Sequence, residues 1–181
     1  MPLQYLSYGP NANQLLWEPS GALTGELMYE CCCEDVCPYT VTITLDWSTD
    51  ADLDLYAKVD SESTVYFGHP SESGLTLNND AHPSCSTTPL TPEIITGNLT
   101  GPHTLKVWYN QYSDCLPEQS PSVTSIAILN TGDEDICVDG DTIAPSGTWN
   151  SSTIAYGGFD TGAIPNYASP TEIEITCDTC P

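Results

Sequence analysis

Residues 38–59 read PYTVTITLDWSTDADLDLYAKV. Successive side chains of an extended chain point to opposite faces. In the first half, Val41, Ile43, Leu45 and Trp47 therefore fall on one side, and Thr40, Thr42, Thr44 and Asp46 on the other. After a break at Ser48, Thr49, Asp50 and Ala51 the alternation resumes, with Leu53, Leu55, Ala57 and Val59 opposed to Asp52, Asp54, Tyr56 and Lys58. A period of two held through both segments specifies half-buried strands rather than helix.

Outward from this stretch, further strand candidates lie at 63–68, 74–78, 93–97, 103–112, 122–130, 135–144, 152–157 and 171–176, separated by clusters of Pro, Gly, Asn, Asp and Ser. The pair Asp139-Gly140 marks a turn inside 135–144. This pattern predicts an all-β domain over residues 31–181, a single β-sandwich or jelly roll of about ten strands with little helix. Residues 1–30 differ. Leu3, Tyr5, Leu6, Tyr8, Leu15, Leu16 and Trp17 are apolar but interrupted by Pro2, Pro10, Pro19 and Gly21, which reads as an extended N-terminal arm. So much apolar surface must be buried, on its own domain or on a neighbouring copy.

The chain has 25 Asp and Glu against two cations, Lys58 and Lys106, with no Arg, for a formal net charge of −23. Nucleic acid as a partner is excluded by this balance, since phosphates need Lys and Arg. Anionic membrane surfaces are disfavoured for the same reason, and neither a GxxxxGK[ST] nor a GxGxxG loop offers an alternative cradle for phosphate. No run approaches the ~20 apolar residues of a membrane span, so insertion is not expected. The N-terminal sequence lacks a basic region followed by an apolar core, so it does not read as a signal peptide. Either a leader has been removed or the protein leaves the cell by another route, as virion proteins do on lysis.

Nine cysteines, Cys31, Cys32, Cys33, Cys37, Cys85, Cys115, Cys137, Cys177 and Cys180, point to a disulfide framework formed outside a reducing cytoplasm, at an extracellular, cell or virion surface. The odd count leaves at least one thiol outside intramolecular pairs. Cys85 with Cys115 is the first pairing to consider. A structural zinc held by Cys33, Cys37, Cys177 and Cys180 is the competing reading, because Cys33-x3-Cys37 and Cys177-x2-Cys180 have ligand-like spacings.

Asp50, Asp52 and Asp54 share one face of a strand, where like charges repel and a hard cation would relieve them. Calcium needs about six oxygens, and Asn79, Asp80 and Glu93 are available to supply the rest. The alternative is a solvated acidic face.

The segments DADLDLYAK, VYFG (65–68), SGLTLNND (73–80), PEIITGN (92–98) and GPHTLKVWYNQY (101–112) resemble a bacterial domain of unknown function. Its pattern runs W-x-T-D-A-D-L-D-L, Y-Y-G, a D-D pair, P-E and G-x-Y-x-V. More loosely, they are similar to the bacterial pre-peptidase C-terminal domain. The resemblance spans roughly residues 38–130 and implies a calcium-stabilised, non-catalytic β-sandwich of exported proteins. Carried over by position, the calcium ligands are Asp50, Asp52, Asp54, Asp80 and Glu93. Asn79 stands where the pattern has a second Asp.

Catalytic signatures are lacking: His69, His82 and His103 sit beside Pro or Gly, without GxSxG, HExxH or a Cys/His arrangement. The chain is accordingly expected not to be an enzyme. Sequons at Asn98 and Asn150 are glycosylation candidates in expected loops, as in a glycoprotein. The expected function is a structural, self-assembling subunit of an extracellular filament or surface appendage, copies being linked through the N-terminal arm. The alternatives are a virion surface or decoration protein, or a calcium-dependent carbohydrate-binding module or adhesin. In the last, Trp108, Tyr109, Tyr112 and Trp149 would stack on glycans.

Overall fold

The alternation read in residues 38–59 becomes alternating burial in the structure, a computed structural model that describes residues 36–47, 51–81, 91–112, 120–160, 169–178 and 180. Its strands are β1 (Pro38–Asp46), β2 (Asp52–Val59), β3 (Ser71–Glu72), β4 (Leu75–Leu77), β5 (Glu93–Thr100), β6 (His103–Tyr112), β7 (Val123–Asn130), β8 (Ile136–Val138), β9 (Asp141–Ile143), β10 (Thr148–Ser151), β11 (Ala155–Asp160) and β12 (Thr171–Thr176). Among the described residues there is no helix, and therefore none long and apolar enough to cross a membrane. All of them belong to one unit, Cys33–Pro181. The arm of residues 1–30, with Leu3, Tyr5, Leu6, Tyr8, Leu15, Leu16 and Trp17, lies outside the described residues.

Two sheets form a β-sandwich. In the first the strand order is β10-β7-β1-β5-β4-β3, all antiparallel. The second runs β11-β6-β12-β8-β9, with β2 on the remaining edge of β6. One edge of β6 is divided: β12 pairs with His103–Val107, and β11 runs parallel to Trp108–Tyr112. Val41, Ile43, Leu45, Ile95, Ile126 and Ile128 of the first sheet meet Leu53, Leu55, Leu105, Val107, Ile173 and Ile175 of the second in one core. Each such side chain, fully withdrawn from water, contributes about 1.5–3 kcal/mol.

Strand register sets a notable outer surface on the first sheet. Ser71, Thr76, Thr96, Thr42, Ala127 and Asn150 stand directly opposite one another across all six strands. The adjacent row is Asn98, Thr40, Leu129 and Thr148. Both rows are free of charge.

Two hairpins turn on two residues each. Asp139 (φ 52°) and Gly140 (φ 87°) join β8 to β9, and Ser73 (φ 47°) and Gly74 (φ 82°) join β3 to β4. Positive φ at both central positions matches the right-handed strand twist, and glycine adopts it without steric cost. Gly97 of β5 is needed for a different reason: a Cβ there would lie 2.5 Å from the Gly74 carbonyl oxygen and 2.6 Å from Leu75 Cδ2. Gly97→Ala is expected to cost about 1–3 kcal/mol through overpacking, read as a lower urea midpoint at unchanged slope; an unchanged midpoint would contradict the close approach of β4 to β5.

The disulfides are Cys37–Cys177 and Cys137–Cys180. The first joins the start of β1 in one sheet to the end of β12 in the other. The four-thiolate zinc site is thereby corrected, because Cys37, Cys177 and Cys180 spend their sulfurs in disulfides and cannot act as thiolate ligands. Cys31, Cys32, Cys33, Cys85 and Cys115 lie outside the described residues.

Other expectations shift in detail. Segment 63–68 contributes only isolated bridges at Val65 and Tyr66. The candidate at 152–157 resolves into β10 and β11 with a break at 152–154. Asn98 and Asn150 were expected in loops but are outward positions of β5 and β10, their alternation placing them in water while their neighbours pack inward.

Candidate metal centre

The second sheet has an outward side that is not solvated as alternation alone suggests. Leu53, Leu55, Ala57 and Val59 of β2 enter the core with Leu105, Val107 and Tyr109 of β6. Asp52, Asp54, Tyr56 and Lys58 therefore share the opposite side with Lys106, Trp108, Asn110 and Tyr112, row by row: Asp52 facing Tyr112, Asp54 facing Asn110, Tyr56 facing Trp108, Lys58 facing Lys106. Yet Asp52, Asp54, Tyr56, Trp108 and Asn110 are at most 3% exposed. Aromatic rings form part of this cover. Tyr56 is stacked between Trp108 and Tyr66, at centroid distances of 5.4 and 5.7 Å, and Phe67 meets Tyr66 and Tyr112 edge-on.

At the edge of this cover, one carboxylate oxygen each of the buried Asp52 and Asp54 and of the exposed Asp80 lies within 4.8 Å of the others, an arrangement able to hold a metal ion. Asp80 reaches the pair because Glu93 fastens its loop. Glu93 stands on the inward face of β5, where alternation would place an apolar residue, and is 1% exposed. Its Oε2 accepts from the Leu55 amide at 2.7 Å and its Oε1 from the Ala81 amide at 3.0 Å. One side chain thus ties the first sheet to β2 and to the residue after Asp80. Burial first, then the Asp54 and Asp80 carboxylates, push the Glu93 carboxyl well above its ordinary range, while its two amide donors pull it down. Burial likewise raises Asp80.

Four acidic groups here face a chain whose only Lys and Arg are Lys58 and Lys106, and Lys106 is held by Glu172 at 2.7 Å. The two lysines cannot neutralise four carboxylates, so the balancing charge comes from protons or from a bound cation. The donor set fits a hard cation: Asp52, Asp54 and Asp80 would hold it, and what it would supply is charge neutralisation between β2 and the loop bearing Asp80.

Of the five ligands expected from the sequence, the structure brings Asp52, Asp54 and Asp80 together, and Asp50 lies outside the described residues. Glu93 is present in another role, as a clamp on two backbone amides. Asn79 donates from Nδ2 to Thr91 Oγ1 at 3.3 Å. The site also contains Asn110, which the sequence reading passed over; its place opposite Asp54 depends on strand register. His69 pairs with Glu72 and His103 with Asp60 elsewhere on the surface; His82 lies outside the described residues. Of the expected glycan-stacking residues, Trp108 (3% exposed) and Tyr109 (8%) are buried, because one packs under Tyr56 and the other faces the core. Tyr112 and Trp149 are half-buried.

Comparison with protein-family models, with curated proteins and with solved structures finds no match for this chain. The class defined by fold and site is a disulfide-linked β-sandwich with an acidic cluster of two buried aspartates and one exposed one.

Proposed function

We propose that the chain is a structural, self-assembling subunit of an extracellular filament or surface appendage, stabilised by calcium at Asp52, Asp54 and Asp80 and joined to its neighbours through residues 1–30. The observation that carries this reading is the pair of charge-free rows on the outer face of the first sheet, one from Ser71 to Asn150 and the other from Asn98 to Thr148. In a chain of net charge −23, copies repel one another over most approaches, and this face is where they can pack with least repulsion. Disulfides support an oxidising location, and the inter-sheet Cys37–Cys177 bridge suits a subunit that must persist there. Burial of Trp108 and Tyr109 removes two stacking residues from the carbohydrate-binding alternative, and no observation separately favours a virion protein.

The test is assembly. Purified full-length chain is expected to form regular polymers visible by electron microscopy, and a chain lacking residues 1–30 to remain monomeric by light scattering while melting cooperatively. Full-length protein that stays monomeric, or a truncated chain that polymerises equally well, overturns the reading.

A further inference from the structure

Two buried asparagines make opposite use of their carboxamides. Asn130, fully buried, donates from Nδ2 to the Glu134 and Ile143 carbonyls and accepts at Oδ1 from the Gly132 amide, so its role within the fold is complete. Asn110 is 1% exposed, yet neither its Oδ1 nor its Nδ2 has a hydrogen-bond partner among the described residues. Leaving a buried polar group unpaired costs about 1–3 kcal/mol, so such groups in native proteins call for an explanation, a bound ion among them.

Position supplies the reason. Asn110 is the direct cross-strand partner of Asp54 on the same face of the sheet, and opposed residues in an antiparallel pair have Cβ atoms about 4.5–5.5 Å apart. On its other flank is Gly157 of β11, where a Cβ would fall on Asn110 Oδ1 and 3.1 Å from Cγ. Only a glycine leaves room for the carboxamide. In this conformer the oxygen is turned toward Gly157. Since no hydrogen bond among the described residues fixes that sense, a half-turn about the last side-chain torsion exchanges Oδ1 and Nδ2 without breaking one and turns the oxygen from the β11 side of β6 to the β2 side, where Asp54 stands opposite.

We infer that Asn110 is a further, uncharged oxygen ligand of the cation held by Asp52, Asp54 and Asp80. This rests on the metal reading above. An amide oxygen is a normal ligand of calcium, whose shell of about 6–8 oxygens three monodentate carboxylates do not fill, and it adds a donor without adding repulsion to a −23 chain.

The experiment is terbium and calcium titration of the full chain and of Asn110→Leu. Trp108 and Tyr56 occupy the next row of the same face, so terbium in this site is expected to show luminescence sensitised by them, displaced by calcium. In Asn110→Leu, calcium affinity should fall at least about tenfold. Luminescence lifetimes in H2O and D2O should show about one more inner-sphere water, filling the vacated position. The metal-free variant should melt at or above the wild-type temperature, since an apolar side chain replaces unpaired polar atoms. Asn110→Asp provides the second measurement: it keeps an oxygen and adds charge, so the water count should match wild type. Wild type that binds no ion overturns the metal reading and this inference together. Wild type that binds, with both variants unchanged in affinity and water count, overturns the inference alone.

Discussion

Replacing Cys37 and Cys177 together by Ala is expected to lower stability by about 4 kcal/mol and the melting temperature by roughly 8–16 °C. The bridge closes a sequence separation of 140 residues. The chain-entropy relation gives about 5 kcal/mol for such a loop, and natural disulfides removed from small domains cost about 2–5 kcal/mol. The Cys137–Cys180 bridge spans only 43 residues, so the corresponding double substitution should cost about 1 kcal/mol less by the same relation. Calorimetry of the two variants under non-reducing conditions gives the comparison. A Cys37→Ala, Cys177→Ala chain that melts with wild type would mean that the two sulfurs are not joined in the folded protein.

Glu93→Ala is expected to destabilise the chain by about 3 kcal/mol. Two amides, Leu55 and Ala81, lose their acceptor in a buried place, at about 1–3 kcal/mol each, while relief of repulsion with Asp54 and Asp80 returns part of this. Glu93→Gln should cost roughly half as much, because one amide keeps an oxygen and the other meets an NH2 group. A pH series separates charge from geometry. In the fold Glu93 takes up its proton well above the ordinary 4.5, so the folded chain binds more protons than the unfolded chain between those limits. The stability this confers is complete below about pH 4.5 and is lost as pH rises through the folded value. In chelator, wild type should therefore gain stability relative to Glu93→Gln on going from about pH 8 to pH 5. The reverse slope would show that Glu93 is ionised at little cost in the fold.

Much of the scaffold is legible in the sequence because it depends on local rules. The period of two in Val41, Ile43, Leu45 and Trp47 and again in Leu53, Leu55, Ala57 and Val59 places those residues in the core, and Asp139-Gly140 forms the expected turn. Alternation says which residues share a face but not what lies over it. The row of Asp52, Asp54, Tyr56 and Lys58 therefore reads as solvated, although the structure packs Tyr66 against Tyr56 and buries both aspartates. Glu93 is legible only as a spare oxygen for a cation, since nothing in its neighbourhood announces an inward carboxylate that crosses between sheets. Asn110 was missed because its pairing with Asp54 depends on a register set by strands some fifty residues apart. The sulfur pairs were illegible for the same reason: Cys37 and Cys177 are brought together only by the stacking of two complete sheets.

The inter-sheet disulfide also has a mechanical meaning. A pull transmitted along the chain into Cys37 reaches β1, flanked by β5 and β7 in the first sheet, and at the same residue passes through sulfur to the end of β12 in the second. Without the bridge, tension could peel β1 from its neighbours one hydrogen-bonded pair at a time, the weakest way to load a sheet. With it, a pull at Cys37 is shared between β1 in one sheet and the end of β12 in the other, so that β1 does not carry it alone. Reduction of that single covalent bond would leave β1 to take such a pull through its pairing with β5 and β7 alone.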